Sequence, residues 1–115
     1  MSDCIFCDII HGEAPASEYK EWGGAVISFA PLNPVTEGHL LFVPVVHAQD
    51  AAEDTFGASL AFEHAAWYGR NRGHFNIVTS AGVYASQSIF HTHIHFVPRR
   101  NNDGLLLPWS NQIKE

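Results

Sequence analysis

Residues 88–97, which read SIFHTHIHFV, form the most strongly patterned segment of this chain. Histidines alternate here with β-branched and aromatic residues, and a period of two is typical of a β-strand with two unlike faces. We therefore predict a strand over Ser88–Val97, closed by Pro98. Successive side chains on one face of such a strand are about 6.6–6.8 Å apart. One face would carry His91, His93 and His95, and the other, largely apolar face would carry Thr92, Ile94 and Phe96.

Three explanations compete for the row of histidines on this predicted strand. Histidine can be a nucleophile, a proton carrier or a metal ligand near neutral pH, and the chain has eight histidines against six Lys and Arg together. Solvated surface side chains fit poorly, because surface strands usually carry other residue types. The second explanation is an all-histidine metal site with a bound water. The third makes one imidazole the nucleophile of a covalent mechanism.

The remaining segments predict an antiparallel α+β domain, because strands outnumber helices without the regular alternation of parallel folds. Gly23-Gly24 indicates a hairpin turn, and Gly57 marks where a first helix could yield to a second. Predicted strands cover Glu18–Glu21, Ala25–Ala30, His39–Val43 and Phe75–Thr79, predicted helices cover Cys4–Ile10 and, as one or two, Ala48–Tyr68, and a loop covers Ser80–Ser86.

Length and charge narrow the classes of function. A chain of 115 residues suits one domain with one hydrophobic core, and no apolar run approaches the roughly 20 residues of a membrane-spanning helix. Twelve Asp and Glu against six Lys and Arg give a formal charge of −6, which disfavours nucleic-acid polymers and anionic membranes as partners. A small phosphate-bearing ligand held by local contacts is compatible with this charge.

Cys4 and Cys7 are the only cysteines, and a disulfide between them would close almost no loop. A secreted disulfide framework is therefore not expected, which favours a reducing compartment. Met1–Asp3 carries no positively charged side chain, so no secretory signal is predicted and the expected location is the cytoplasm. On its own, the CxxC spacing fits a redox pair or two small buried residues.

The segment HTHIHFV matches the signature His-φ-His-φ-His-φ-φ, where φ is apolar, with Thr92 at the first φ position. It resembles the histidine triad, or HIT, family of nucleotide-processing proteins. Further matches follow in the same order: CIFCDII at the start, LNPVTEGHLLFVPVVH in the middle, and Ala85–Arg99 around the triad. The resemblance implies an α+β, HIT-like fold with an antiparallel sheet of about five strands and helices packed against it. Residues 1–115 would form a single HIT domain, with a C-terminal tail from about residue 101.

The resemblance also implies a reaction. In the family the middle histidine attacks the α-phosphate of a nucleotide derivative, and water then releases the nucleoside monophosphate from the nucleotidyl-histidine. The matching nucleophile here is His93, with His95 as a hydrogen-bond partner of the phosphate and His39 as the support of the nucleophile. Ser88 and Gln87 match positions that contact the phosphoryl oxygens or the leaving group. The substrate would be a purine nucleoside phosphoramidate or a related nucleotidyl derivative, such as a dinucleoside polyphosphate.

A structural zinc is implied by the same resemblance, since members that keep both cysteines bind this metal. The matching ligands are Cys4, Cys7, His47 and His91. A Cys₂His₂ set is tetrahedral and closed, so the zinc would pin the N-terminal helix to the triad rather than activate water. No role is predicted for the remaining histidines, His11, His64 and His74.

Three positions depart from the family pattern: Pro31 replaces an Asp that holds the ribose, Ser80 an Asn at the start of the phosphate loop, and Ser86 a Gly. The lost carboxylate removes a charge-assisted hydrogen bond worth roughly 1.5–3 kcal/mol. Ser80 is still expected to contact the nucleotide. The implied base pocket consists of Ile5, Phe6, Ile9, Phe29 and Leu32.

The sequence also suggests an oligomeric state and leaves two alternative functions open. The family resemblance implies a homodimer, which would cover the helix around Phe62 and Trp67, and Trp109 in the tail would lie near the site or against a partner subunit. The departures at Pro31, Ser80 and Ser86 keep open a nucleotide-binding or sensing module with little turnover. A zinc-dependent hydrolase that uses the triad histidines as metal ligands is the other alternative.

Overall fold

The structure is a computed structural model that describes residues 2–108. Its five-stranded antiparallel sheet confirms the predicted α+β class, and the strand order is β1-β2-β3-β5-β4. Within the described residues, no helix is long and apolar enough to span a membrane. The strands are β1 (Ser17–Trp22), β2 (Val26–Ala30), β3 (Leu40–Pro44), β4 (Phe75–Val78) and β5 (Ile94–Pro98), and the α-helices are α1 (Ile5–Ile10) and α2 (Thr55–Gly69).

Both faces of the sheet are covered, which explains the uninterrupted apolar run of β3. Leu40 and Phe42 belong to the cluster that packs against α2, whereas Leu41 and Val43 belong to the cluster that includes Phe6 of α1. Alternate residues of a strand point to opposite faces, so all five residues of this central strand are buried. The sheet therefore holds α1 on the face opposite α2.

The predicted strand over Ser88–Val97 is wrong in its first half, because only Ile94–Pro98 belongs to the sheet. The backbone N–H of Thr92 donates instead to Ala48 O at 2.9 Å, and the ring Nε2 of His91 lies 2.8 Å from Pro44 O. His91 and Thr92 are thus held by the end of β3 and the chain that follows it, outside the hydrogen-bond ladder of the sheet. Even so, the rings of His91 and His93 both lie against Phe6 of α1, at 6.0 and 5.2 Å between centroids.

The predicted helical segment Ala48–Tyr68 begins later, at Thr55, and is one helix. Asp54 is its N-cap, and the Asp54 carboxylate accepts from the Gly57 N–H at 3.0 Å. A Cβ at Gly57 would lie 2.6 Å from Asp54 Oδ2. Gly57 therefore makes room for the cap inside the first turn, and does not separate two helices.

Ser86 occupies a backbone conformation that favours glycine, with φ of 74° and ψ of 20°. A side chain in this left-handed region costs about 1–2 kcal/mol, while glycine loses about 0.5–1 kcal/mol through its greater freedom in the unfolded chain. We expect Ser86→Gly to raise the free energy of unfolding by about 0.5–1 kcal/mol, measured by urea denaturation. The neighbouring Ala85→Gly is the matched control and should lower it. Equal destabilisation by both variants would contradict the argument.

Candidate active site and metal centre

A hydrogen bond to the backbone orients the His93 ring and leaves its other nitrogen, Nε2, unprotonated. Its Nδ1 lies 2.7 Å from His91 O, and a carbonyl only accepts, so Nδ1 carries the proton. The Thr79 hydroxyl donates to His93 O at 2.7 Å and ties this segment to the end of β4. Burial lowers the pKa of His93, which keeps the imidazole neutral near pH 7. A neutral imidazole with an unprotonated Nε2 is a competent nucleophile.

His39 and His95 form a second pair whose proton positions follow from a backbone group. The Val35 N–H donates to His39 Nδ1 at 3.1 Å, so the proton of neutral His39 lies on Nε2. This Nε2 is 3.0 Å from His95 Nδ1 and donates to it. His95 therefore carries its own proton on Nε2, as a hydrogen-bond donor.

Burial keeps both members of this pair uncharged. It lowers the pKa of His39, and it lowers the pKa of His95 to about 4, with further contributions from charge on His93 and His39. Both rings are therefore neutral donors and acceptors at pH 7. The ring centroids of His93 and His95 are 5.2 Å apart, so the predicted nucleophile lies beside the Nε2–H of His95.

α1 brings an aromatic side chain against the triad. The ring of Phe6 meets His93 edge to face at 5.2 Å between centroids, and it contacts Phe29 at 5.3 Å. Phe6, Ile9 and Phe29 are buried together in one core cluster. Of the residues predicted for a base pocket, Phe6 is thus the one that touches the predicted nucleophile.

Ile5 and Ser88 come together in a cavity of about 590 Å³. This cavity also borders the two cysteines. Its remaining lining residues are Ser2, Asp3, Cys4, Cys7, His47, Ile89 and Phe90.

Gln87 braces the loop before the triad. Its Nε2 donates to Gln49 O at 2.8 Å and to Ile89 O at 3.0 Å, and its Oε1 accepts from Gly82 N–H at 2.8 Å. Both amide hydrogens are therefore engaged by carbonyls, so the Gln87 side chain has no spare hydrogen for a phosphate.

Leu32 and Ser80 lie on chain connections at the sheet's ends. Leu32 is 98% exposed between β2 and β3, and Ser80 is half-buried just after β4. Their expected contacts with a nucleotide stay predictions.

Four side chains from three parts of the chain form a compact set of metal-donor atoms. Cys4, Cys7, His47 and His91 place one donor atom each within 4.8 Å of one another. His91 Nδ1 lies 3.5 Å from both sulfur atoms and 3.1 Å from His47 Nδ1, and Cys7 Sγ lies 3.3 Å from His47 Nδ1. The Nε2 of buried His91 donates to Pro44 O, so Nδ1 offers a lone pair to the cluster.

The four separations between 3.1 and 3.5 Å match the edges of a tetrahedral zinc site. With Zn–S near 2.3 Å and Zn–N near 2.0 Å, the edges of the tetrahedron are about 3.3 Å between nitrogens and about 3.5 Å between sulfur and nitrogen. Burial, Cys4 and the charge of Asp8 raise the pKa of Cys7 to about 11, so a thiolate at Cys7 needs a positive charge beside it. A bound cation would supply that charge.

Three groups that position the site carry no sequence signal of their own. They are the Val35 N–H on His39, the Pro44 carbonyl on His91, and the Thr79 hydroxyl on His93 O. Two of them are backbone groups: every residue supplies a carbonyl, and every residue except proline supplies an N–H, so only the folded geometry identifies them.

Sequence and structure comparisons show which known proteins this chain resembles. The HIT domain model matches residues 23–102. Adenylylsulfatase HINT3 of Arabidopsis thaliana is 31% identical over 97% of this chain and 58% of its own length. Adenosine 5'-monophosphoramidase HNT1 of Saccharomyces cerevisiae is 27% identical over 95% of this chain and 71% of its own length.

A solved relative extends the likeness to the fold. The structure of a Zn-bound histidine triad family protein from Mycobacterium smegmatis superposes with a TM-score of 0.76 at 32% identity, and the match covers 90% of this chain and 80% of that one. The HIT-like fold expected from the triad motif is therefore confirmed, and this chain belongs to the HIT domain family.

Proposed function

We propose that this protein is a hydrolase that cleaves nucleoside phosphoramidates or related nucleotidyl derivatives through a nucleotidyl-histidine on His93. The observation that carries the proposal is the hydrogen bond from His93 Nδ1 to His91 O at 2.7 Å. It leaves Nε2 of a neutral ring unprotonated, as a nucleophile at phosphorus requires.

The reaction has two balanced steps. His93 Nε2 forms a bond to the α-phosphorus as the bond from phosphorus to the leaving amine or oxygen breaks, and the leaving group takes a proton from solvent. Water then attacks the same phosphorus and gives a proton back to solvent, the bond to Nε2 breaks, and a nucleoside monophosphate leaves. The Nε2–H of His95, 5.2 Å away between ring centroids, donates to a phosphoryl oxygen and stabilises the charge that grows there.

The names of two relatives support an adenylyl group as the transferred part. One is called an adenylylsulfatase and the other an adenosine 5'-monophosphoramidase, so the nucleotidyl part is shared and the leaving group differs. We infer a purine nucleotide whose base contacts Phe6, Ile5 and Leu32 and whose phosphate contacts Ser88 and Ser80. Gln87 would serve this phosphate indirectly, by holding the loop.

The four donors Cys4, Cys7, His47 and His91 would hold a structural zinc. Two cysteines and two histidines fill a tetrahedral shell, which leaves no position for a reacting water. A catalytic metal held by all three triad histidines is less well supported, because His91 Nδ1 faces the two sulfur atoms and the proton of His95 is on Nε2. His93 Nε2 is then the one lone pair that the triad could offer such a metal. When bound, the zinc would supply rigidity between α1 and the triad.

A homodimer is the proposed assembly. Phe62 and Trp67 on α2 are 51% and 55% exposed, and a second copy would cover them. Trp109, predicted to lie near the site or a partner, is outside the described residues.

Mass spectrometry of the intact protein tests the reaction class. After brief incubation with adenosine 5'-phosphoramidate and an acid quench, we expect a mass increase equal to one adenylyl group, located on His93 by peptide mapping. A parallel incubation with a dinucleoside polyphosphate compares leaving groups. Tight binding of the nucleotide without an adduct or turnover would instead support the sensing module.

A further inference from the structure

Arg100 lies just beyond β5 and forms hydrogen bonds with the connection between β2 and β3. Its Nη1 donates to Thr36 Oγ1 at 2.7 Å, and its Nη2 donates to Glu37 O at 3.1 Å. β5 carries His95, and the connection between β2 and β3 that Arg100 binds ends at His39. The two bonds therefore join the chain segments whose histidines face each other.

The same connection is held at neighbouring points. Gly38 has a φ of +87°, and a Cβ there would lie 3.1 Å from the side chain of Pro98. The His39 N–H donates to Thr36 O at 3.2 Å, which closes a tight turn. The turn thus packs against the end of β5, and Arg100 is the side chain that reaches across to it.

The neighbouring Arg99 cannot take over this contact. Its Nε and Nη2 face the carboxylate of Asp103 at 2.8 and 3.2 Å, and its Nη1 donates to Asn76 Oδ1 at 2.6 Å. Arg99 thus fixes the chain after β5 in place, and Arg100 transmits that position to the turn.

The position of the turn determines which ring nitrogen of His39, and hence of His95, carries the proton. The Val35 N–H specifies the proton of His39 on Nε2 only while it points at His39 Nδ1, 3.1 Å away. If the turn moves, His39 can carry its proton on Nδ1 and present a lone pair to His95. His95 must then place its own proton on Nδ1, so its Nε2 has no hydrogen for a phosphoryl oxygen.

We propose that Arg100 is a positioning residue for phosphoryl transfer, which clamps Thr36 and Glu37 to β5 and so keeps the proton of His95 on Nε2. The effect on rate rests on the proposed function, whereas the effect on the two tautomers does not. The chain of contacts runs from Arg100 through the turn to Val35, His39 and His95.

Nitrogen-15 NMR of the histidine rings at pH 7 tests the clamp directly. In the zinc-loaded wild-type protein we expect protonated Nε2 and unprotonated Nδ1 on both His39 and His95. In Arg100→Ala we expect a mixture of tautomers on both rings. Turnover of adenosine 5'-phosphoramidate should fall about tenfold in kcat, with a smaller change in KM, because a hydrogen-bond donor to the transition state is partly lost.

Further variants separate positioning from general damage. Thr36→Val removes the acceptor of Arg100 Nη1 and should reproduce the tautomer mixture, and adding it to Arg100→Ala should cause little further loss. Arg100→Lys keeps one donor and should restore part of the effect. Arg70→Ala is the matched control: Arg70 stacks on Trp67 at 3.8 Å at the end of α2, and its loss should change neither tautomers nor kcat.

Each result decides one part of the inference. Unchanged tautomers in a folded Arg100→Ala protein would overturn the clamp. Shifted tautomers with unchanged kcat would overturn its link to catalysis. Shifted tautomers in a protein whose wild type has no turnover would support the clamp and refute the proposed function.

Discussion

Replacement of His93 by alanine is expected to lower kcat for adenosine 5'-phosphoramidate by at least about 10³-fold, because the atom that attacks phosphorus is gone. The nucleotide contacts proposed for Phe6, Ile5 and Ser88 are untouched, so KM should change much less. Steady-state kinetics of the zinc-loaded variant measure both constants. The adenylyl adduct should be absent from its intact mass.

Two further variants make this result specific. His74 is exposed and has no predicted role, so His74→Ala should keep wild-type kcat. His93→Gly leaves space at the nucleophile, and added imidazole should restore part of the turnover if its nitrogen takes the place of Nε2. Turnover retained by a folded His93→Ala protein would show that another group attacks the phosphate.

The alternation of apolar and polar residues predicted the strands of the sheet well, but it failed at residues 88–93 for a physical reason. The hairpin strands, β3 and β4 lie where turn residues and apolar runs placed them. Alternation, however, reports which side a residue faces and not where its backbone hydrogen bonds go. Residues 88–93 alternate like a strand, yet Thr92 N–H bonds to Ala48 O outside the sheet. A buried extended segment and a ladder strand therefore look alike in sequence.

The sequence predicted which side chains form the site, but not where their protons lie. His39, His93 and His95 follow from the family motif, and the structure brings the first and last to 3.0 Å between ring nitrogens. The metal-donor set joins residues 40 to 87 positions apart, which spacing alone cannot pair. Proton positions needed backbone partners, such as Val35 N–H, and no residue type encodes these.

Cys4→Ser is expected to reduce bound zinc from about one per chain to nearly none and to destabilise the fold. Stabilisation by a bound metal is about 4 kcal/mol when free zinc exceeds its dissociation constant 1,000-fold, so a loss of this order is expected in chemical denaturation with zinc present. A neutral hydroxyl is a poor zinc ligand compared with a thiolate. Elemental analysis of the purified variant measures the metal directly.

Serine is the informative replacement because Cys4 has a second task. Its Sγ accepts the Cys7 N–H at 3.4 Å as the N-cap of α1, and serine is a better N-cap than cysteine. Helix capping is thus preserved in Cys4→Ser, and the lost stability reports the metal. Because α1 carries Phe6, whose ring lies 5.2 Å from His93, turnover should fall as well, but less than in His93→Ala. Equal zinc content and stability in Cys4→Ser and wild type would refute the site. If a chelator stopped turnover at once while the fold stayed intact, the zinc would be catalytic and the assignment of His91 to a structural metal would be wrong.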